Sequence, residues 1–81
     1  MRNSIRELDT VVMRRDFPES GVRAGDIGAV VHVYDGAFEV EFVTASGRTE
    51  ALFTVDAADV RLINDNDLPA VRQTVPLSGA P

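Results

Sequence analysis

The stretch RAGDIGAVVHVYDGAFEVEFV, Arg23 to Val43, decides the fold. Phe38, Val40 and Phe42 alternate with Glu39 and Glu41. A period of two sends the apolar side chains to one face and the carboxylates to the other, so this segment reads as a half-buried antiparallel strand. Before it, Ile27 to Tyr34 is rich in β-branched residues and more continuously apolar. Asp35-Gly36 between the two runs predicts a tight hairpin with a primed turn, because Gly supplies positive φ without strain. Gly25 and Gly28 fit neither the dinucleotide-binding nor the Walker phosphate-loop spacing, and no helix follows them. Within a strand pattern they predict a bulge or bend.

Outward from the hairpin, LDTVVMR (Leu8 to Arg14) predicts a first strand, with either Leu8, Thr10 and Val12 or Val11 and Met13 facing inward. Arg15 to Gly25 is dense in breakers and reads as a long loop, with Phe17 and Val22 tucking it onto the sheet. Thr44 to Arg48 is a turn, and Thr49 to Val55 a fourth strand. Asp56 to Asp59 is a helical turn with Asp56 as N-cap, and Val60 to Ile63 a fifth strand. The expected fold is all-β, a five-stranded SH3-like small barrel over residues 1–63. A Pro-containing tail over 64–81 is expected to be extended or disordered.

The chain of 81 residues makes one domain with a modest core, and it has no cysteine for a disulfide or thiolate metal site. Its net charge is −5, and all eight basic residues are arginine. That balance repels a phosphate backbone unless the cations cluster. No apolar run reaches the ~20 residues that span a bilayer. Met1-Arg2-Asn3-Ser4-Ile5 does not lead into the apolar core of a signal peptide, so a cytoplasmic location is expected.

LDTVV, the Pro-containing loop, AGDIGAVVHVY, AFEVEFV and TVDAADVRLI resemble a bacterial family of small stand-alone proteins of unknown function, from about Glu7 to Ile63. The AGDIGAVVHVY core is more distantly similar to KOW and SH3-like barrels, including that of the nitrile hydratase β subunit. The resemblance implies a small barrel and companionship with neighbouring toxin-like or enzyme-like genes. It brings no catalytic residues.

Among candidate chemistries, His32 is the only histidine and stands on a strand without a nearby nucleophile or orienting group, so it reads as a strand-face or interface residue. Glu39 and Glu41 face solvent, with Arg48 or Arg61 as expected cross-strand partners. Asp65-Asn66-Asp67 starts like a calcium loop, but Ala70 and Pro76 stand where the central Gly and closing Glu belong. No cofactor, metal or catalytic residue is therefore expected.

The expected function is a non-enzymatic protein-binding module, an accessory or antitoxin/immunity-like partner of another bacterial protein. Its binding surface is the loop Arg15 to Gly25 facing the turn Thr44 to Arg48. Arg14, Arg15, Phe17, Tyr34 and Arg48 are the candidate partner-binding residues, since arginine and aromatics dominate interface energetics. A KOW-like nucleic-acid-binding barrel and a self-assembling structural protein, with a homodimer as its simplest form, are the alternatives. Against nucleic acid, Asp9, Asp16, Glu19 and Asp26 flank the arginines of the first loop.

Overall fold

A computed structural model describes residues 4–74. It is all-β: β1 (Thr10–Met13), β2 (Ile27–Tyr34), β3 (Ala37–Val43), β4 (Thr49–Asp56) and β5 (Val60–Leu62), with two single 3-10 turns, Pro18–Ser20 and Ala57–Asp59. The five strands form one antiparallel sheet in the order β4-β3-β2-β1-β5. The expected five strands and the helical turn before the last of them are all present.

The connection between the two edge strands dictates the sheet's shape. In a flat sheet β4 and β5 would lie four inter-strand spacings apart, about 19 Å. Asp56 and Val60 are joined by only the three residues of the Ala57–Asp59 turn, and four peptide steps reach at most about 14 Å. The sheet must therefore curl. The turn is fastened on both sides, since Ala57 N–H donates to Gly36 O at 3.0 Å and Arg14 N–H to Asp59 O at 2.8 Å. Asp56 precedes it with extended backbone (φ −69°, ψ 148°) but makes no side-chain cap bond. Those tertiary hydrogen bonds hold the turn where a cap was expected. β4 and β5 do not pair with each other, so the ladder stays open although the sheet is curled.

The core lies inside the curl. Val11, Met13, Val30, Phe38, Val40, Phe42, Val55 and Val60, from all five strands, form one buried cluster with Val22 of the first loop. The register Val11↔Gly28 and Val11↔Leu62 settles the facing of β1, with Val11 and Met13 inward. Val12 is nevertheless buried on the opposite face, where the register places it beside Ile27 and Arg61. The aliphatic stem of an arginine can cover such a neighbour.

Two expectations about glycine are corrected. Gly28 sits at no bulge; the register shift in β2 falls between Val30 and His32. Gly28 instead lets β2 approach β3, because a Cβ there would lie 2.6 Å from Val40 Cγ1, 2.9 Å from Phe42 Cε2 and 3.0 Å from Glu41 O. The hairpin turn is not a primed one either. Gly36 alone has positive φ (+80°) and Asp35 does not, the pattern of a turn with its left-handed residue in second central place. Ala57 bonds the Gly36 carbonyl from outside, so this turn is fixed by tertiary contact as well as by local preference.

Three short turns repeat one device. In Arg6–Asp9, Arg23–Asp26 and Asn64–Asp67 the Asp carboxylate accepts the first residue's N–H at 2.7–2.8 Å, and the Asp N–H donates back to that residue's carbonyl at 3.0–3.1 Å. The first two turns launch β1 and β2, and the third redirects the chain after β5. Leu8, 85% exposed, takes the left-handed place (φ 72°) that Gly25 takes in the second turn.

Gly28→Ala separates close packing from strand propensity. Alanine ordinarily gains about 0.5–1 kcal/mol over glycine in a strand, whereas overpacking costs about 1–3 kcal/mol. The expected net result is a loss of about 1–2 kcal/mol in urea unfolding, and an unchanged or raised midpoint would contradict the packing role.

Candidate functional site

The first loop, Arg14 to Asp26, is rigid although it is long. Phe17 and Val22 form an isolated bridge, with Phe17 N–H on Val22 O at 2.7 Å. Asp16 Oδ1 accepts Ala24 N–H at 2.9 Å. Val22 is in the core, and half-buried Phe17 packs on Phe53 (ring centroids 5.3 Å apart), which stacks on Phe42 at 5.5 Å. The loop is thus riveted to the sheet by the two residues expected to hold it.

Across from this loop, β3 ends in a register shift between Phe42 and Val43 and passes into the turn Thr44–Arg48. That turn is closed by Gly47 N–H on Thr44 O and Thr44 N–H on Arg48 O, both at 2.9 Å. Between the loop and the end of β3 lies an open cleft of about 560 Å³. Val22, Ile27 and Phe42 give it apolar walls, and Asp26 and Glu50 put carboxylates on it. Its third side is the tail, Pro69 to Thr74.

The tail is pinned at two points by arginine–aspartate forks. Arg61 donates Nη1 and Nη2 to the two oxygens of Asp67 at 2.8 and 2.9 Å. Those bonds, with the Asn64 N–H, hold the Asp67 carboxyl down at about 2. Farther on, Arg72 donates Nε to Asp26 Oδ1 at 2.8 Å, Nη2 to Asp26 Oδ2, and Nη2 to Gly21 O at 2.9 Å. Burial pushes the Asp26 carboxyl up, but the Arg72 bond, the Arg23 N–H and both guanidinium charges outweigh it and leave it below the usual range. Arg72 is held above its usual range by its bonds to Asp26 against burial, with the charges of Asp26, Glu50 and Asp16 adding. Between the pins Leu68 and Val71 are 94% and 99% exposed, so they do not dock on the sheet. Val75 and Leu77, the other apolar tail residues, lie outside the described residues.

The candidate binding residues fall into separate groups. Arg14 Nε donates to Val60 O at 3.1 Å. Arg15 lies over the Phe17 ring at 3.9 Å and pairs through Nε with Asp59 Oδ1 at 3.2 Å. Those three residues tie the loop to the Ala57–Asp59 turn and β5. Arg48 pairs with cleft-lining Glu50 at 2.9 Å. Tyr34, half exposed, meets His32 edge-on at 4.6 Å on the outer face, and His32 faces exposed Glu7 at 3.9 Å. Among the described residues Glu39 and Glu41 take no arginine partner; Thr54 and Thr49 of β4 donate to them instead. Arg48 and Arg61 are engaged by Glu50 and Asp67.

Asp26, Gly21 and Arg72 are the site residues that sequence reasoning passed over. The repeated turn signal could have marked Asp26, but nothing local links it to an arginine 46 residues away. No helix among the described residues is long and apolar enough to cross a membrane.

Residues 7–62, from the turn before β1 through β5, match a domain of unknown function, DUF4926. The chain belongs to that family. No curated protein and no solved structure matches it. The DUF4926 domain includes the loop and β3 walls of the cleft, while the tail that forms the third side lies beyond its last matched residue.

Acid releases the first pin. The Asp67 carboxyl titrates near 2 in the folded chain and near its ordinary 3.8 when unfolded, so its contribution is complete above about pH 4 and is lost as pH falls toward 2. Asp26, also lowered, acts in the same direction. In melts between pH 6 and 2, Asp67→Asn should be less stable than wild type at pH 6 and lose less on acidification. Parallel curves would contradict this assignment.

Proposed function

We propose that this DUF4926 chain is a non-enzymatic protein-binding module, an accessory or antitoxin/immunity-like partner of another bacterial protein in the cytoplasm. The cleft between the first loop and the end of β3 is the observation that carries this reading. It mixes apolar walls with two carboxylates, Asp26 and Glu50, between a loop and a strand end held on the sheet, where binding residues concentrate. The curled sheet with a 3-10 turn before its last strand is read as an SH3-like barrel, distantly akin to KOW barrels and that of the nitrile hydratase β subunit.

The charge pattern favours protein over nucleic acid. Arg15, Arg48, Arg61 and Arg72 each face a carboxylate, in a chain of net charge −5. Cations so neutralised release few counterions from a phosphate backbone. The open edge of β4 favours self-assembly as a second reading, because eight residues of edge strand can template another strand.

Co-purification from the native host, with and without nuclease, tests these readings. One protein in stoichiometric yield, indifferent to nuclease, is the expected result and would name the partner. Nucleic acid, with protein partners lost after nuclease, would overturn the proposal. A lone protein at multimer size would transfer the function to self-assembly.

A further inference from the structure

One side of the cleft is lined by the chain's own tail, whose Arg72 takes the carboxylate of Asp26. Among the described contacts of the tail beyond Asp67, Arg72 alone reaches the domain through hydrogen bonds, and Leu68 and Val71 face solvent. The strap is therefore held at this end by one side chain rather than by apolar burial. Three acceptors receive that side chain: both oxygens of Asp26 and the carbonyl of Gly21. A carboxylate paired with an aligned carbonyl matches the planar fork of a guanidinium and not the point charge of an ammonium. Asp26 is itself oriented by the Arg23 N–H at 2.8 Å, so the acceptor side is built by the loop independently of the tail.

The receiving walls lie inside the family match and the strap outside it. We propose that the cleft recognises an extended, arginine-bearing segment of a partner protein, and that Arg72 holds its arginine-accepting corner, Asp26 and Gly21 O, in cis as that segment's stand-in. This deepens the protein-binding reading and rests on it. A partner segment enters as Arg72 leaves, its arginine taking Asp26 and Gly21 O while its neighbouring residues lie along Val22, Ile27 and Phe42. The exchange is isocoulombic at Asp26: one guanidinium replaces another, and the half-buried carboxylate is not left unpaired.

A short tether presents its own ligand at an effective concentration on the order of millimolar. For a segment binding at ~0.1 mM, the cis strap then suppresses trans binding about tenfold. The probe is the acetylated, amidated peptide DLPAVRQT, residues 67–74 of the chain, titrated into the full-length protein and followed by amide NMR shifts. Arg72→Ala should bind it saturably, with Gly21 and Asp26 amides shifting, and at least about tenfold more tightly than wild type. The peptide with Gln in place of its Arg should bind about tenfold more weakly, and Arg72→Ala combined with Asp26→Asn should not bind. Arg72→Gln supplies the same comparison if Ala disturbs folding.

No saturable binding to a folded Arg72 variant, or equal binding of both peptides, would overturn the inference. Self-association of wild type that the peptide dissolves would assign the site to a second copy's tail, and would overturn it too. A co-purified partner whose binding is untouched by Asp26→Asn would sink the inference while leaving the module reading in place. Peptide binding with no protein partner recovered would keep the arginine-accepting corner but overturn both the module reading and a partner's segment as its occupant.

Discussion

The structure depends on one short link. Three residues, Ala57 to Asp59, must carry the chain from one edge of a five-stranded sheet to the other. A flat sheet does not permit it, so β4 and β5 are drawn toward one another and the inner face becomes an interior. This gives a chain without disulfides a core to which every strand contributes a buried valine, methionine or phenylalanine. The close approach at Gly28 belongs to the same demand, since a tightly curled sheet brings β2 under the side chains of Val40 and Phe42.

Curling also sets the position of the first loop. Val22 enters the core and Phe17 continues the aromatic row through Phe53 to Phe42, so the loop rises from the sheet as a fixed wall. The end of β3 forms the facing wall, and the space between them is the cleft. The repeated Asp turns then direct the chain ends: Asp26 opens β2 and presents its carboxylate to the cleft, while Asp67 turns the tail back over the domain. One residue type, in one local geometry, thus both starts a strand and prepares an arginine acceptor. The ion pairs are partly exposed, and such pairs add little stability; their fixed fork geometry makes them selective for guanidinium.

Much of this was legible in the sequence because it is local. Alternation in Phe38–Phe42 fixed β3, the β-branched run fixed β2, and Phe17 and Val22 stood out as the only large apolar residues of the first loop. The facing of β1 was ambiguous because Val11, Val12 and Met13 are all apolar, and only the register with Gly28 and Leu62 resolves it. Bulge position and turn type were misread at Gly28 and Gly36. The first is a matter of register between β2 and β3, and the second a choice among turn types that Asp35-Gly36 leaves open. The first loop and the Thr44–Arg48 turn, which border the cleft, were legible as segments from their breakers. The cleft's arginine was not, because Arg72 sits in a tail with no periodicity and meets Asp26 only through the fold.

Amide hydrogen exchange on the full chain tests the clasped, curled sheet most directly. The Arg14 and Ala57 N–H groups lie one residue beyond the β1–β5 and β3–β4 pairings and bond to Asp59 O and Gly36 O at the two ends of the Ala57–Asp59 turn. The account predicts that both are protected to within about tenfold of the amides of β2 and β3, as one cooperative unit. Exchange of these two at the rate of open turn amides, with the strands still protected, would contradict it.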